Sequence, residues 1–199
     1  MLLMSCLMIP FSAALLDAQQ PYFPPKSFDS FLSAYFSNAL TALNEPSLFQ
    51  ESKESQAESY RFVWLRTFHH AVAVQLDVRG DGTGEITAHI GAGVAGFPHT
   101  WKGPPTSESR PLGKEQVTKF LELVDHLNFW SVPTEDDRDQ TGMDGAFWVI
   151  EAVKAGQYHV IARWSPSDPP EPSKRVVREL GLMLAFELAG LHIPNGEIY

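Results

Sequence analysis

Ala146-Phe147-Trp148-Val149-Ile150-Glu151-Ala152-Val153, then Lys154-Ala155-Gly156, then Gln157-Tyr158-His159-Val160-Ile161-Ala162-Arg163-Trp164 is the stretch that decides the fold. Two runs rich in β-branched and aromatic residues, parted by a short segment with a glycine, spell an antiparallel hairpin. Side chains alternate along a strand, so Phe147, Val149, Glu151 and Val153 share one face. A carboxylate in that company must be paired or pushed toward its neutral form. The turn decides its cross-strand neighbour. A three-residue loop, Lys154-Ala155-Gly156, sets Glu151 opposite His159 and Phe147 opposite Arg163, whereas a two-residue turn, Ala155-Gly156, sets Trp148 opposite Arg163. The sequence permits both.

A second hairpin lies upstream. Phe68, His70, Val72, Val74, Leu76 and Val78 alternate with polar or small residues, Gly80-Asp81-Gly82 turns the chain, and Ile86, Ala88 and Ile90 continue the pattern. Tyr60 to Leu65 is β-prone as well. Helical spacing appears in three places: from Phe28 to Leu43, from Lys114 to Leu127, and from Ser173 to Ala189, the last stopping at Gly190 in the left-handed capping position. Residues 50–59 read as a solvated connection and Gly91 to Pro111 as a loop. Ser165 to Pro172, with four prolines in eight residues, excludes regular structure. The expected fold is α+β: an antiparallel sheet built from two hairpins with helices packed on it, forming a single domain over residues 19–199.

At 199 residues the chain can bury a core without disulfides or a structural metal. A formal charge of −9 argues against nucleic acid as a partner, since binding phosphates needs a basic footprint. Met1 to Leu16 carries no charged side chain and is too short to span a bilayer, so residues 1–18 read as a signal peptide cleaved after Ala18. The expectation is a periplasmic or secreted protein with no stable membrane span in its mature form. Cys6 is the only cysteine, and too few residues precede it for lipid anchoring. Cleavage after Ala18 leaves no thiol, which excludes thiol catalysis and cysteine-based zinc sites.

Familiar motifs fail on inspection. Gly91-Ala92-Gly93-Val94-Ala95-Gly96 has the dinucleotide spacing, but Phe97-Pro98 follows where a helix must begin. Asp77, Asp81 and Glu85 lack the tight ligand spacing of a calcium loop. Adjacent His69 and His70 point to opposite faces of a strand and cannot chelate together. No metal or cofactor is expected. Two sets of candidates are left. Glu151 with His159, or His70, are acid–base candidates if they meet in a cleft. Trp148, Arg163, Trp164 and Asp144 are residue types enriched at recognition surfaces, and they are the candidate ligand-binding set. Structural ion pairs and cation–π stacks would use the same residue types.

Asp144-Gly145-Ala146-Phe147-Trp148 with Glu151, Tyr158-His159, Arg163-Trp164-Ser165-Pro166 and the ending Leu188-Ala189-Gly190-Leu191 resemble a group of small exported bacterial proteins of unknown function. The similarity spans Tyr60 to the C-terminus and implies the same compartment but no activity. The expected function is a non-enzymatic exported domain that binds an unknown protein or small-molecule ligand through the second hairpin. The alternative is a small hydrolase-like enzyme using Glu151 and His159, or His70, as acid–base groups.

Overall fold

A computed structural model describes residues 21–97, 100–136, 139 and 141–199. The expectations concerning the signal peptide, Cys6 and cleavage after Ala18 lie outside those residues. The elements run α1 (Ser30–Ala42), α2 (Leu48–Glu54), β1 (Glu58–Arg66), β2 (His70–Val78), β3 (Gly84–Val94), β4 (Thr106–Leu112), α3 (Lys114–His126), β5 (Ala146–Lys154), β6 (Gln157–Trp164) and α4 (Arg175–Leu182). The fold is α+β, and the sheet has six antiparallel strands in the order β4-β3-β2-β1-β5-β6. The sheet is therefore larger than two hairpins: β1 joins the pairs β2–β3 and β5–β6, and β4 extends one edge.

Lys154 pairs with Gln157, so Ala155 and Gly156 alone make the turn, at φ 50° and 79°. Two successive left-handed residues match the twist of the flanking strands, which is why the two-residue register wins. Trp148 stands opposite Arg163, while Glu151 stands opposite Val160 and His159 opposite Ala152. Of the two registers open in the sequence, the one that would set Glu151 against His159 is not formed.

Both faces of the sheet are covered. Tyr60, Phe62, Trp64, Val74, Trp148 and Ile150 pack on one face against Phe120 of α3 and Leu180 of α4. On the other, Val63, Leu65, Ala73, Val149 and Val160 meet Phe36, Leu40 and Leu43 of the first helix. β1 is buried along nearly its whole length because it lies in the middle of three layers.

Three expectations are corrected. Residues 50–59 are no solvated connection: α2 begins behind Ser47, whose hydroxyl accepts from Gln50 N at 3.2 Å, and strand β1 starts at Glu58. The helix is short and turns little apolar surface inward, so it leaves no periodic signal. Gly91 to Pro111 is not all loop, since β3 runs to Val94 and β4 pairs with it. β4 is an exposed edge strand without apolar alternation, a common way to blunt an edge. His70 does not share the buried face, because the register slips between His70 and Val72 and the imidazole is exposed.

The last helix continues past α4 as a π-helical segment, Met183–Leu188, and stops at Gly190 with φ +70°, as expected. Arg110 of β4 donates to the backbone oxygens of Glu187 and Leu188, satisfying acceptors that the helix end leaves open. Among the described residues no helix is long and apolar enough to cross a membrane.

Candidate functional site

Glu151 is fully paired. It lies on β5 directly opposite Arg61 of β1, and Gln75 of β2 flanks Arg61 on the other side, so the three form one row across the sheet. Arg61 Nη1 donates to Glu151 Oε1 at 2.9 Å and to Pro46 O at 2.9 Å, and its Nε donates to Gln75 Oε1 at 2.9 Å. Glu45, presented just after α1, brings Oε2 to 3.2 Å from the same Nε. Tyr158 donates its hydroxyl to Glu151 Oε2 at 2.7 Å, and His89 Nδ1 lies 2.6 Å from Glu45 Oε1. Burial opposes the charge of Arg61, yet Glu151 and then Glu45 outweigh it and hold its pKa above the ordinary value. Burial lifts Glu151 above the usual carboxylate range against the pull of Arg61 and Tyr158, but each of its oxygens receives a donor, the pattern of an ionised carboxylate.

This network has the chemistry of a strut. The carboxylate and the guanidinium are both inaccessible, and His159 hangs on the opposite face, where its Nε2 meets Val132 O at 2.8 Å. The structure does not bring Glu151 and His159 together. Burial pushes the His159 pKa below its ordinary value. His70, exposed, sets Nδ1 against Gly91 O at 2.6 Å.

The candidate ligand-binding residues separate in the same way. Trp148 is buried and donates its indole N–H to Tyr199 O at 2.9 Å. Arg163 is 2% exposed and spends its guanidinium on backbone oxygens of Pro133, Thr134, Ala162 and Ser173 at 2.7–2.9 Å, fastening β6 to the chain on either side of it. Asp144 is exposed, and Trp164 is half-buried.

Arg163 borders a cleft of about 560 Å³ with Pro133, Glu135 and Ser173, and Trp164 borders a second, aromatic one. Directly opposite Trp164 on β5 is Phe147, with ring centroids 4.7 Å apart and nearly perpendicular planes. Tyr35 of α1 follows at 6.0 Å from Phe147, and Phe31, one helical turn back, stacks on Tyr35 at 2°. With Leu32 and the segment 141–143 these rings enclose a cleft of about 350 Å³. Its shape depends on glycine: a Cβ on Gly145 would come within 2.4 Å of Ser165 Oγ and 2.5 Å of the Trp164 ring. Burial raises the Tyr35 phenol to about 12, so it is neutral.

The rim of this end of the sheet is apolar. Phe31 is 73% exposed, Met143 93%, Phe68 52% and Phe97 42%. Phe68 sits in the β1–β2 turn, Phe97 just after β3 and Met143 just before β5, so three connections and the start of α1 contribute to one surface. The sequence carried a faint signal for it: Phe31 breaks the polar side of an amphipathic helix, and Met143 stands alone in a polar loop.

A larger cavity of about 650 Å³ lies between α3, the π-helical segment and residues 191–198, lined by Leu123, Met183, Phe186 and Ile193 among others. Its carboxylates are engaged, Glu187 with Lys119 at 2.6 Å and Glu179 with Arg175 at 2.5 Å. None of the candidates named from the sequence lines it. Among the described residues no group of three or more metal-ligating side chains occurs. No family model matches the chain, and no curated protein is significantly similar to it.

Proposed function

We propose that this protein is an exported, non-enzymatic recognition domain that holds an apolar or aromatic group of its ligand in the cleft floored by Tyr35, Phe147 and Trp164. The observation that carries the reading is the gathering of Phe31, Phe68, Phe97 and Met143, all large and exposed, at the end of the sheet where that cleft opens. Isolated exposed apolar residues are ordinary, but a cluster around a concavity marks a place where something docks. Aromatic side chains also lose little conformational entropy on binding. Export is supported by the uncharged opening segment Met1 to Leu16 and by the resemblance noted above. The acid–base alternative is disfavoured because Glu151 is buried and spent on Arg61 and Tyr158.

Nuclear magnetic resonance screening with a library of small aromatic and aliphatic fragments tests the reading. Binders are expected to shift the Tyr35, Phe147 and Trp164 resonances first. Binders that map only to Leu123, Met183 and Phe186, or an absence of binders at Trp164, would overturn it.

A further inference from the structure

Beyond Gly190 the chain lies across the sheet face that carries Trp64 and Trp148. Those two residues are directly opposite each other on β1 and β5, fully buried, with ring centroids 4.7 Å apart. Their indole N–H groups converge on one acceptor, the backbone oxygen of Tyr199, at 3.2 and 2.9 Å. Arg66, on the same face, lies over the Trp64 ring at 4.5 Å and brings Nη1 to 3.3 Å from Glu197 Oε2. It is 4% exposed, and its Nε has no hydrogen-bond partner among the described residues. The Tyr199 hydroxyl accepts from Phe68 N at 3.4 Å and lies 2.8 Å from His69 Nδ1.

Receptor and occupant are unequal in burial. Trp64, Trp148 and Arg66 are buried, whereas no residue from Leu191 to Tyr199 is. The occupant belongs to neither the sheet nor the main helices. Its only regular structure is the short turn Asn195–Glu197, closed by Glu197 N to Pro194 O and Ile198 N to Asn195 O. A segment serving only to cover the core could rest on aliphatic side chains, which carry no donors that must be satisfied. This site instead presents two indole donors and a guanidinium, which demand an acceptor and an acid, to a segment that packs on the core through Leu191, Ile193, Ile198 and Tyr199 without any of its residues being fully buried. Such segments open at free energies below that of global unfolding.

We propose that residues 191–199 are a replaceable occupant of a peptide receptor made by Trp64, Arg66, His69 and Trp148, and that the receptor takes from a partner a segment with the same chemistry: an acidic residue in a tight turn, an aliphatic residue and a tyrosine. The acid pairs with Arg66, the backbone oxygen beside the tyrosine ring receives both indoles, and the phenol meets His69. The proposal is independent of the aromatic cleft. Covalent attachment gives the chain's own segment an effective concentration on the order of millimolar, so a partner competes only when that segment is weakened or displaced.

Hydrogen exchange in the unaltered chain provides the first test. The indole protons of Trp64 and Trp148 are expected to exchange together and to be protected at least about tenfold less than the backbone amides of Phe62 and Ile150. Indoles protected as strongly as those amides would overturn the proposal. In the second, a Tyr199→Gly chain is titrated with the synthetic peptide Ile-Pro-Asn-Gly-Glu-Ile-Tyr, the sequence of residues 193–199, while tryptophan fluorescence is followed. Saturable binding about tenfold or more tighter than that of a scrambled peptide, lost in a chain that also carries Arg66→Gln, is expected. Indistinguishable peptides would overturn it. Should Tyr199→Gly fail to fold, the exchange measurement decides alone.

Discussion

Arg61 and Glu151 face each other across β1 and β5 with Nη1 and Oε1 2.9 Å apart, and neither side chain reaches water. A charge withdrawn from water is tolerated only while its partner is present, and removing one member strands the other. Glu151→Ala is therefore expected to lower the unfolding free energy by about 3–5 kcal/mol in a denaturant titration. Glu151→Gln keeps the shape and an acceptor for Tyr158, so its loss should be the smaller of the two. An unchanged stability in both variants would remove the network from the account of the fold.

Arg163 is expected to be irreplaceable even by lysine. Its planar fork reaches four backbone oxygens in different directions, and an ammonium on a flexible stem cannot serve all of them. Arg163→Lys should cost about 2 kcal/mol in thermal or chemical unfolding, and it should leave fragment binding at Trp164 intact.

Gly145 sets the position of the Trp164 ring. Gly145→Ala places a methyl group 2.5 Å from that ring and 2.4 Å from Ser165 Oγ, so the indole must move. A destabilisation of about 1–3 kcal/mol, with an altered near-ultraviolet dichroism spectrum, is the expected result.

Phe31 and Met143 should behave in the opposite manner. Both are largely exposed, so Phe31→Ser and Met143→Ser are expected to change stability by no more than about 0.5 kcal/mol. Fragment affinity at the cleft should nonetheless fall. A pair of variants that loses stability but keeps fragment affinity would mean that these side chains serve the fold.

His159 predicts a pH dependence. Burial lowers its pKa below the ordinary 6.5. Above that value the imidazole is neutral in both states and the fold keeps its full stability. As pH falls from 6.5 toward the lower native pKa, the unfolded chain takes up a proton that the folded chain refuses, and stability declines. Replacing His159 with Gln should flatten the stability profile over that interval, as measured by denaturant titrations at several pH values.

The hairpins, the three long helices and the buried position of Glu151 could be read from periodicity, because each repeats an apolar residue at the spacing of its own backbone. The two missed elements lacked that repetition: Leu48–Glu54 places only Leu48 and Ser52 in buried positions, and Thr106–Leu112 is exposed at every residue but Leu112. The candidate site was half legible. Trp164 lines the aromatic cleft, whereas Trp148 and Arg163, similar residue types in sequence, are buried in the fold.

By itself the sequence determined the α+β class and the alternation that buries Glu151, and it narrowed the hairpin to two registers without choosing between them. The rest was decided in three dimensions. Arg61 and Tyr158 become partners of Glu151, and Glu45 a second carboxylate on Arg61, only because the strands order as β2-β1-β5-β6 and α1 ends beside them. Phe31, Phe68, Phe97 and Met143 become one surface only when three connections and the start of α1 meet at one end of the sheet. Alternation is a local consequence of backbone geometry, whereas strand order and the meeting of loops arise from long-range pairing that no short window of residues contains.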